Sequence, residues 1–309
     1  MKSVVALAGG VGGAKLALGF SHILGSEELT VVVNTADDDC FYGLHVSPDL
    51  DTVLYTLAGV SNAEMGWGLA GESFRTLERL KEYGVDAWFN LGDLDLATHL
   101  YRTKMLDEGK TLSEVCQQLA KSLGVDHKIL PVTDSPIKTM VETQDGIMSF
   151  QEYFVKNRCE PIVKSIDFNG SSNCTVTPWV RRAVLNMDLL VFCPSNPFVS
   201  IAPILSVPGF KEMIESFSGK SIGVSPIVGG EAIKGPAAKM LKELGHDVSP
   251  VGVARQYVGL CNTFIIDEKD VDLKQEIESL GMNVFVTQTI METDQDKKRL
   301  AEYILEISV

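Results

Sequence analysis

The sequence predicts an α/β protein with a doubly wound, mostly parallel, Rossmann-like sheet that carries a helical and mixed insertion. Short, continuously apolar segments recur along the chain, as expected of strands that are buried on both faces. The first, at 4–8, is followed by a glycine cluster, a helical pattern at 14–24 and a second apolar segment at 31–33. This order is a β-α-β unit, and the same alternation returns in the last third of the chain.

The later elements follow from the same patterns. Apolar segments predict strands at 189–192, 221–224, 263–266 and 284–286. A helical pattern at 236–244 ends at Gly245, a residue that commonly caps helices, and a closing helix is expected at 292–307. Residues 1–64 and 181–309 are therefore predicted to form one nucleotide-binding core.

Residues 65–180 have a different pattern and are predicted to be the insertion. Amphipathic stretches indicate helices at 72–83, 95–107 and 113–123, the last with Thr111 and Glu114 as a capping box. Apolar segments at 137–141 and 147–150 flank an Asp-Gly turn, which predicts a hairpin. The segment 88–93 is expected to be a strand with a polar exit.

Composition excludes several classes of protein. The chain has 309 residues, a formal net charge of −14 and 45% apolar residues. Nucleic-acid binding depends on clustered lysine and arginine, so we expect no nucleic-acid partner. No apolar stretch approaches the length of a membrane span, and the first apolar run is too short for a signal peptide. Six scattered cysteines without a C-x-x-C pair indicate reduced thiols in a cytoplasmic protein.

A glycine-rich turn follows the first strand. Its backbone amides and the N-terminus of the next helix favour an anion, so phosphate binding is predicted. The turn lacks the third glycine of the dinucleotide fingerprint and the hydroxyl of a P-loop, and a tight turn without a ligand is the alternative. The residues concerned are Gly9, Gly10, Gly12, Gly13 and Lys15.

Five carboxylates lie within fifteen residues after the second strand. Asp37, Asp38 and Asp39 follow the strand, and Asp49 and Asp51 stand in the first turn of a helix that begins at Ser47-Pro48. Acids complement a helix N-terminus, which would explain one of them. Five beside a phosphate loop indicate a Mg²⁺ site, because this ion combines one or two carboxylates with phosphate oxygens.

Aromatic residues and two further loops complete the candidate site. Trp67 and Trp88 are able to stack on a planar ligand, although each is also a typical core residue. Ser195 and Asn196 follow a predicted strand at the edge where open α/β sheets bind ligands. Gly229, Gly230 and Lys234 repeat the glycine-and-lysine pattern of the first loop and predict a second anion contact. Among the histidines only His45 and His99 attract attention, with packing or surface roles as the default.

The combined motifs resemble the 2-phospho-L-lactate transferase family of coenzyme F420 biosynthesis. The resemblance covers essentially the whole chain and is specific as a set, although each motif is weak alone. It suggests a methanogenic archaeal source. The motifs are Gly9–Lys15, Asn34–Asp38, Ser47–Thr52, Leu91–His99, Pro194–Pro197 and Ser225–Pro236.

The resemblance implies a Mg²⁺-dependent transferase with two substrates. The donor would be lactyl-2-diphospho-5′-guanosine, and the acceptor would be Fo, a deazaflavin with a ribityl chain. The terminal ribityl hydroxyl would attack the phosphorus next to lactate, GMP would leave, and F420-0 would form. A phosphoenolpyruvyl donor fits the residue types equally well.

Roles within this reaction are assigned by position. The first loop with Lys15 is expected to hold the nucleotide phosphates, and the second loop with Ser195 and Asn196 is expected to hold the guanosine side. Asp37, Asp49 and Asp51 are expected to bind Mg²⁺, with Asp49 also orienting the hydroxyl. Trp67 and Trp88 would pack the deazaflavin, and the insertion would cover this acceptor site.

Two other functions compete with this one. One is a regulatory protein of a related family that binds nucleotide sugars, and such a protein would keep both glycine loops without an acidic pair. A dinucleotide oxidoreductase is disfavoured by Lys15 at the third fingerprint position. The sequence leaves the number of metal ions and the oligomeric state open, with a homodimer as the working assumption.

Overall fold

The structure, a computed structural model, describes residues 2–62 and 64–309, and this part of the chain contains fourteen strands and twelve α-helices. The strands are β1 Val4–Ala8, β2 Leu29–Val33, β3 Asp39–Phe41, β4 Leu44–Val46, β5 Lys128–Pro131, β6 Lys138–Thr143, β7 Gly146–Ser149, β8 Val163–Asn169, β9 Leu189–Phe192, β10 Lys220–Val224, β11 Ile227–Val228, β12 Glu231–Ala232, β13 Thr263–Ile266 and β14 Asn283–Val286. The helices are α1 Gly10–Ser21, α2 Pro48–Leu57, α3 Arg75–Glu82, α4 Asp95–Asp107, α5 Leu112–Ser122, α6 Pro178–Leu185, α7 Ala202–Leu205, α8 Phe210–Glu215, α9 Ala237–Glu243, α10 Pro250–Gln256, α11 Lys274–Glu278 and α12 Asp294–Ile307. Short π-helices lie at Glu152–Lys156 and Pro197–Ile201, and 3₁₀-helices lie at Ser171–Asn173 and Glu268–Leu273.

Seven parallel strands form the central sheet, in the order β14-β13-β10-β9-β1-β2-β5. Ala6 at the centre of β1 is aligned with Val31 on one side and Val191 on the other. The predicted fold class, a doubly wound Rossmann-like sheet, is confirmed.

The two faces of the sheet are covered by separate hydrophobic cores. Along β1, Val4 and Ala6 point into the core formed with α1, α2, α5 and α12, whereas Val5 and Leu7 point into the core formed with α6 to α11. This division follows from the two-residue repeat of a strand. It also explains why all five residues of β1 are buried and apolar.

The direction of winding reverses beside β1. The chain proceeds outward from β1 through β2 to β5, returns to β9 on the other side of β1, and proceeds outward again. The loops that follow β1 and β9 therefore separate and leave a crevice at the carboxyl edge of the sheet. Ligands bind at such a reversal in open α/β sheets.

Two sequence-based predictions differ from the structure near the candidate site. The first helix begins at Gly10 and not at residue 14, because the glycines themselves form its first turn after an extended Gly9. Residues 88–93, predicted to be a strand, have no regular structure, because no neighbouring strand pairs with this segment in the described chain.

The predicted insertion at 65–180 differs from the structure in one respect. Its strand β5 pairs with β2 and forms one edge of the central sheet, and α5 packs against β5. This part of the segment therefore belongs to the core. The predicted capping box of Thr111 and Glu114 and the predicted hairpin, seen as β6 and β7, are confirmed, while β8, which completes a three-stranded sheet with them, was not predicted.

In the part of the chain that the structure describes, no helix is both long enough and apolar enough to cross a bilayer.

Candidate active site

A cavity of ≈ 450 Å³ lies at the carboxyl edge of the sheet, beside the reversal between β1 and β9. Loops after β1, β2, β9 and β10 line one part of it, and segments around Trp67, Phe89 and Phe154 line the rest. A volume of this size is typical of small-molecule sites. Ten of the residues singled out from the sequence line the cavity, namely Gly9, Gly10, Gly12, Asp37, Asp49, Asp51, Trp67, Ser195, Asn196 and Lys234.

The glycine turn is packed tightly against the loop after β9. A Cβ atom on Gly12 would lie 2.2 Å from the carbonyl oxygen of Pro194, and one on Gly13 would lie 2.6 Å from Oγ of Ser195. Ser195 Oγ donates a hydrogen bond to the carbonyl oxygen of Gly9 (2.8 Å) and accepts one from its amide (3.2 Å). Glycine is therefore needed here for close packing as well as for any ligand.

Asp49 closes the N-terminus of α1. Its Oδ1 accepts a hydrogen bond from the Gly10 amide (2.8 Å), and its Oδ2 accepts one from Nδ2 of Asn34 (2.9 Å). The side chain of Asn34 also donates to the carbonyl oxygen of Val199, which ties the loop after β2 to the loop after β9. Burial raises the pKa of Asp49 to about 6, and the charge on Asp38 adds to this effect, against the two hydrogen bonds.

Asp37 is the second buried carboxylate of the cavity wall. Burial raises its pKa well above the usual range, and the charge on Asp49 raises it further. Among residues 2–62 and 64–309, no group hydrogen-bonds to Oδ1 of Asp37. Two carboxylates that repel each other, one of them with an unsatisfied buried oxygen, are suited to binding a cation.

Asp51 has a different environment. Arg102 contacts it with both terminal nitrogens, Nη1 at 3.0 Å from Oδ2, and His99 Nδ1 lies 3.8 Å from the same oxygen. The guanidinium balances the charge of this carboxylate, so the ion pair disfavours the predicted role of Asp51 as a metal ligand. Across residues 2–62 and 64–309, no three side chains of histidine, cysteine, aspartate or glutamate are grouped as a ready-made metal site.

The two predicted phosphate lysines differ in placement. Nζ of Lys234 lies at the cavity, where a Cβ on Gly66 would be 2.6 Å from it. Lys15 lies outside the lining and donates a hydrogen bond to the carbonyl oxygen of Met291 (2.6 Å). Burial lowers the pKa of Lys15, and the charges of Lys297 and Lys234 lower it further, so positive charge is concentrated behind the glycine turn.

The second glycine pair is a hairpin turn. Gly229 and Gly230 connect β11 to β12 with φ angles of 60° and 80°, which only glycine adopts readily. The amide of Gly229 donates to the carboxylate of Asp270 (3.0 Å), and neither glycine lines the cavity. From this loop Pro226, Lys234, Gly235 and Pro236 line the cavity, so Lys234 is the member of the predicted anion contact that reaches it.

The aromatic wall of the cavity is larger than the sequence indicated. Trp67 lines the cavity as predicted, but Trp88 lies behind the wall and packs edge-on against Phe41 (5.3 Å between ring centroids). Its neighbour Phe89 takes the predicted place and stacks on Phe41 at 3.8 Å. Phe150, just before the π-helix Glu152–Lys156, and Phe154 within it stack on each other at 5.4 Å and line the cavity.

Several polar residues of the cavity were not predicted from the sequence. Tyr55, Asp95 and Gln151 line it and are almost fully buried. A sequence signal existed for part of this group, since Asp95, His99 and Arg102 have the i, i+4, i+7 spacing that places them on one face of α4. Gln151 lies at the start of the π-helix Glu152–Lys156, whose position at the cavity only the tertiary structure decides.

Comparisons with known proteins agree with this geometry. The family model described as 2-phospho-L-lactate transferase CofD matches residues 4–304. The 2-phospho-L-lactate transferase of Methanosarcina mazei is 38% identical over 303 residues, which cover 98% of this chain and 99% of that protein. The phosphoenolpyruvate transferase of Streptomyces griseus is 39% identical over 311 residues, which cover 99% of this chain and 98% of that protein.

A solved structure supports the fold alone. The crystal structure of a Bacillus halodurans protein of the UPF0052 family matches with a TM-score of 0.65 and 18% sequence identity, and covers 98% of both chains. Relatives come from methanogens and from Streptomyces, so the predicted archaeal source stays a prediction. Because the family model and the relatives span nearly the whole chain, this protein belongs to the 2-phospho-L-lactate transferase family.

Proposed function

We propose that this protein transfers 2-phospho-L-lactate from lactyl-2-diphospho-5′-guanosine to the terminal ribityl hydroxyl of Fo, with F420-0 and GMP as products. The observation that carries the proposal is the family match over residues 4–304. The cavity supports it, because a polar part built from the glycine turn, the loop after β9 and Lys234 continues into an aromatic part suited to a flat ring.

The donor is proposed to lie in the polar part of the cavity. The first-turn amides of a helix have no partner within the helix and favour anions, and Val11 and Gly12 of α1 line the cavity. Lys234 adds a positive charge at the same place. Ser195 is committed to the peptide of Gly9, so we assign it to shaping the loop. Oδ1 of Asn196 accepts a hydrogen bond from the amide of Phe198 (2.9 Å), so we assign only its Nδ2 group to the guanosine.

Mg²⁺ is proposed as the cofactor, held by Asp37 and Asp49. The unsatisfied Oδ1 of Asp37 and the raised pKa of both carboxylates fit a cation at this place. When bound, the ion neutralises charge on the diphosphate during transfer. Asp51 is left out, because Arg102 already balances its charge.

The transfer itself needs positioning more than covalent chemistry. Asp49 is held by the Gly10 amide and by Asn34, and it orients the ribityl hydroxyl and accepts its proton. The hydroxyl oxygen forms a bond to the phosphorus next to lactate. The bond from that phosphorus to the bridging oxygen breaks, and GMP leaves with this oxygen.

The experiment is incubation of the protein with Fo, Mg²⁺ and either the lactyl or the phosphoenolpyruvyl guanosine donor, followed by mass analysis. F420-0 from the lactyl donor is expected. Formation of dehydro-F420-0 alone would instead assign the phosphoenolpyruvyl donor, the chemistry that the names of the Streptomyces relatives indicate. Absence of both products, with binding of a nucleotide sugar, would overturn the proposal in favour of a regulatory binding protein.

A further inference from the structure

The floor of the cavity, where α2 faces α4, holds a buried polar cluster that the proposed transfer does not use. Tyr55 and His99 are each 1% exposed and Asp95 is 6% exposed, yet all three line the cavity. Buried polar groups are costly unless they are fully paired. The hydrogen bonds that these side chains make, and the one that is missing, therefore indicate which chemical group of a ligand this floor would bind.

Arg102 fixes the tautomer of His99. Its Nη1 lies 3.2 Å from Nδ1 of the imidazole. A guanidinium group only donates hydrogen bonds, so Nδ1 is the acceptor and carries no proton. The neutral ring therefore carries its proton on Nε2.

The Nε2–H group of His99 is an unsatisfied donor. It lies 3.2 Å from Oδ2 of Asp95, but their geometry is not that of a hydrogen bond, and no other group among residues 2–62 and 64–309 pairs with it. The other oxygen of Asp95 accepts a hydrogen bond from the Tyr55 hydroxyl (2.6 Å). A donor and an acceptor thus stand next to each other in the cavity floor, with Nε2 almost fully buried beneath its surface.

A hydroxyl group matches this pair, because one oxygen is able to accept from the imidazole and donate to the carboxylate at the same time. A carbonyl oxygen would satisfy only His99, and an ammonium group would satisfy only Asp95. Leaving Nε2–H unpaired in a buried site is unfavourable, because the group has lost its hydrogen bond to water without a replacement. A ligand hydroxyl removes this cost.

We propose that Asp95 and His99 form a hydroxyl-binding subsite for the polyol chain of the acceptor, with Arg102 as the positioning residue that keeps the proton on Nε2. This inference rests on the proposed function, since Fo carries the ribityl chain. The placement is consistent, because Tyr55 follows Asp49 by six residues on α2, a distance of about 9 Å along the helix axis. A chain whose terminal hydroxyl lies at Asp49 therefore extends toward this floor.

Two variants at one position test the subsite. In His99→Asn, the shorter amide keeps an acceptor for Arg102 but loses the donor at the position of Nε2. In His99→Gln, the longer amide keeps a donor there. We expect His99→Asn to raise the KM for Fo about 10-fold, the effect of about 1.4 kcal/mol, with the KM for the guanosine donor unchanged. His99→Gln is expected to stay within about 3-fold of wild type.

An acceptor analogue separates recognition from a general structural effect. The analogue keeps the deazaflavin ring and the terminal hydroxyl but carries an unsubstituted alkyl chain between them. Wild type is expected to bind Fo about 10-fold more tightly than the analogue, and His99→Asn is expected to lose most of this preference, because a direct contact appears as non-additivity in a double-mutant cycle.

The outcomes distinguish this proposal from the proposed function. If wild type converts Fo to F420-0 but His99→Asn keeps the full preference for Fo over the analogue, the subsite is wrong and the transferase proposal stands. If His99→Asn weakens both acceptors by the same factor, the residue has a structural role only. If wild type neither binds nor converts Fo, the proposed function fails and the subsite fails with it.

Discussion

Asp37 and Asp49 show how the same residue type acquires different properties from its surroundings. Both are buried at the cavity, neither forms an ion pair with a basic side chain in the described part of the chain, and burial raises the pKa of each. Asp51, two residues from Asp49, is paired with Arg102. In the sequence the three aspartates look equivalent, and only their partners separate a candidate cation pair from a structural ion pair.

Asp37→Asn is expected to stabilise the unliganded protein at pH 8 while it abolishes most activity. A carboxylate whose pKa is raised by folding favours the folded state below its unfolded pKa and loses this contribution as the pH rises through its folded pKa. The variant should raise the Tm at pH 8 by roughly 1–2 °C, the shift that about 1 kcal/mol produces in a chain of 309 residues. At pH 5, where a larger fraction of Asp37 is protonated, the difference in Tm between variant and wild type should be smaller. An equal gain at both pH values would contradict the assigned charge state.

Asp49→Asn is expected to retain the fold and lose most turnover. Asparagine is still able to accept the hydrogen bond from the Gly10 amide, but it removes the charge and the proton acceptor that we assign to the reacting hydroxyl. A fall in kcat of about 10²-fold or more is expected in a coupled assay at saturating Mg²⁺. Near-normal kcat under these conditions would refute the role, and circular dichroism provides the control for folding.

At the scale of elements, one ion pair connects the two helices that form the cavity floor. Arg102 on α4 holds Asp51 in the first turn of α2, the turn that also carries Asp49. Asp49 in turn closes the N-terminus of α1. The alignment of three helices at the site therefore depends on a few buried polar contacts.

Arg102→Met is expected to destabilise the protein by about 3–5 kcal/mol, because it leaves Asp51 buried without a counter-charge. The matched control is the double variant Asp51→Asn with Arg102→Met, which removes both charges and should recover part of the loss. Urea unfolding of the three proteins measures both effects. A double variant less stable than Arg102→Met would show that the uncompensated carboxylate is not the cause.

At the scale of the whole molecule, a chain of net charge −14 is expected to bind a diphosphate. Positive charge is locally available at Lys15, Lys234 and Lys297, but the cavity wall itself carries buried carboxylates. We propose that a bound cation reduces the repulsion between the diphosphate and these carboxylates. Dissolved salt would not do so, because it screens buried charges only weakly.

MgCl₂ is expected to raise the Tm of the wild-type protein more than NaCl at equal ionic strength. Binding to the folded state adds RT ln(1 + [L]/Kd), which is about 1.4 kcal/mol when Mg²⁺ is ten times its Kd and corresponds to roughly 2–4 °C. Asp37→Asn should respond to the two salts equally. Equal responses in the wild-type protein, measured by differential scanning fluorimetry, would argue against a specific cation site.

Most of the fold and part of the site could be predicted because local patterns determine them. Apolar runs such as 4–8 and 189–192 are long enough to be recognised and have to be buried on both faces, so the parallel sheet followed directly. The glycine turn and the aspartates after β2 were expected at the carboxyl edge for the same reason. The strand predicted at 88–93 was wrong, because an apolar run becomes a strand only where a partner strand is available.

The sequence by itself determined the fold class, the family and the edge of the sheet where the cavity lies, since these depend on periodicity and on motifs read in order along the chain. Only the tertiary structure decided which members of each motif reach the cavity. Phe89 lines it and Trp88 does not. Oδ1 of Asp37 has no hydrogen-bond partner among residues 2–62 and 64–309, while Asp51 is paired with Arg102. The physical reason is that burial and pairing depend on residues far apart in the chain, which the spacing within a motif does not specify.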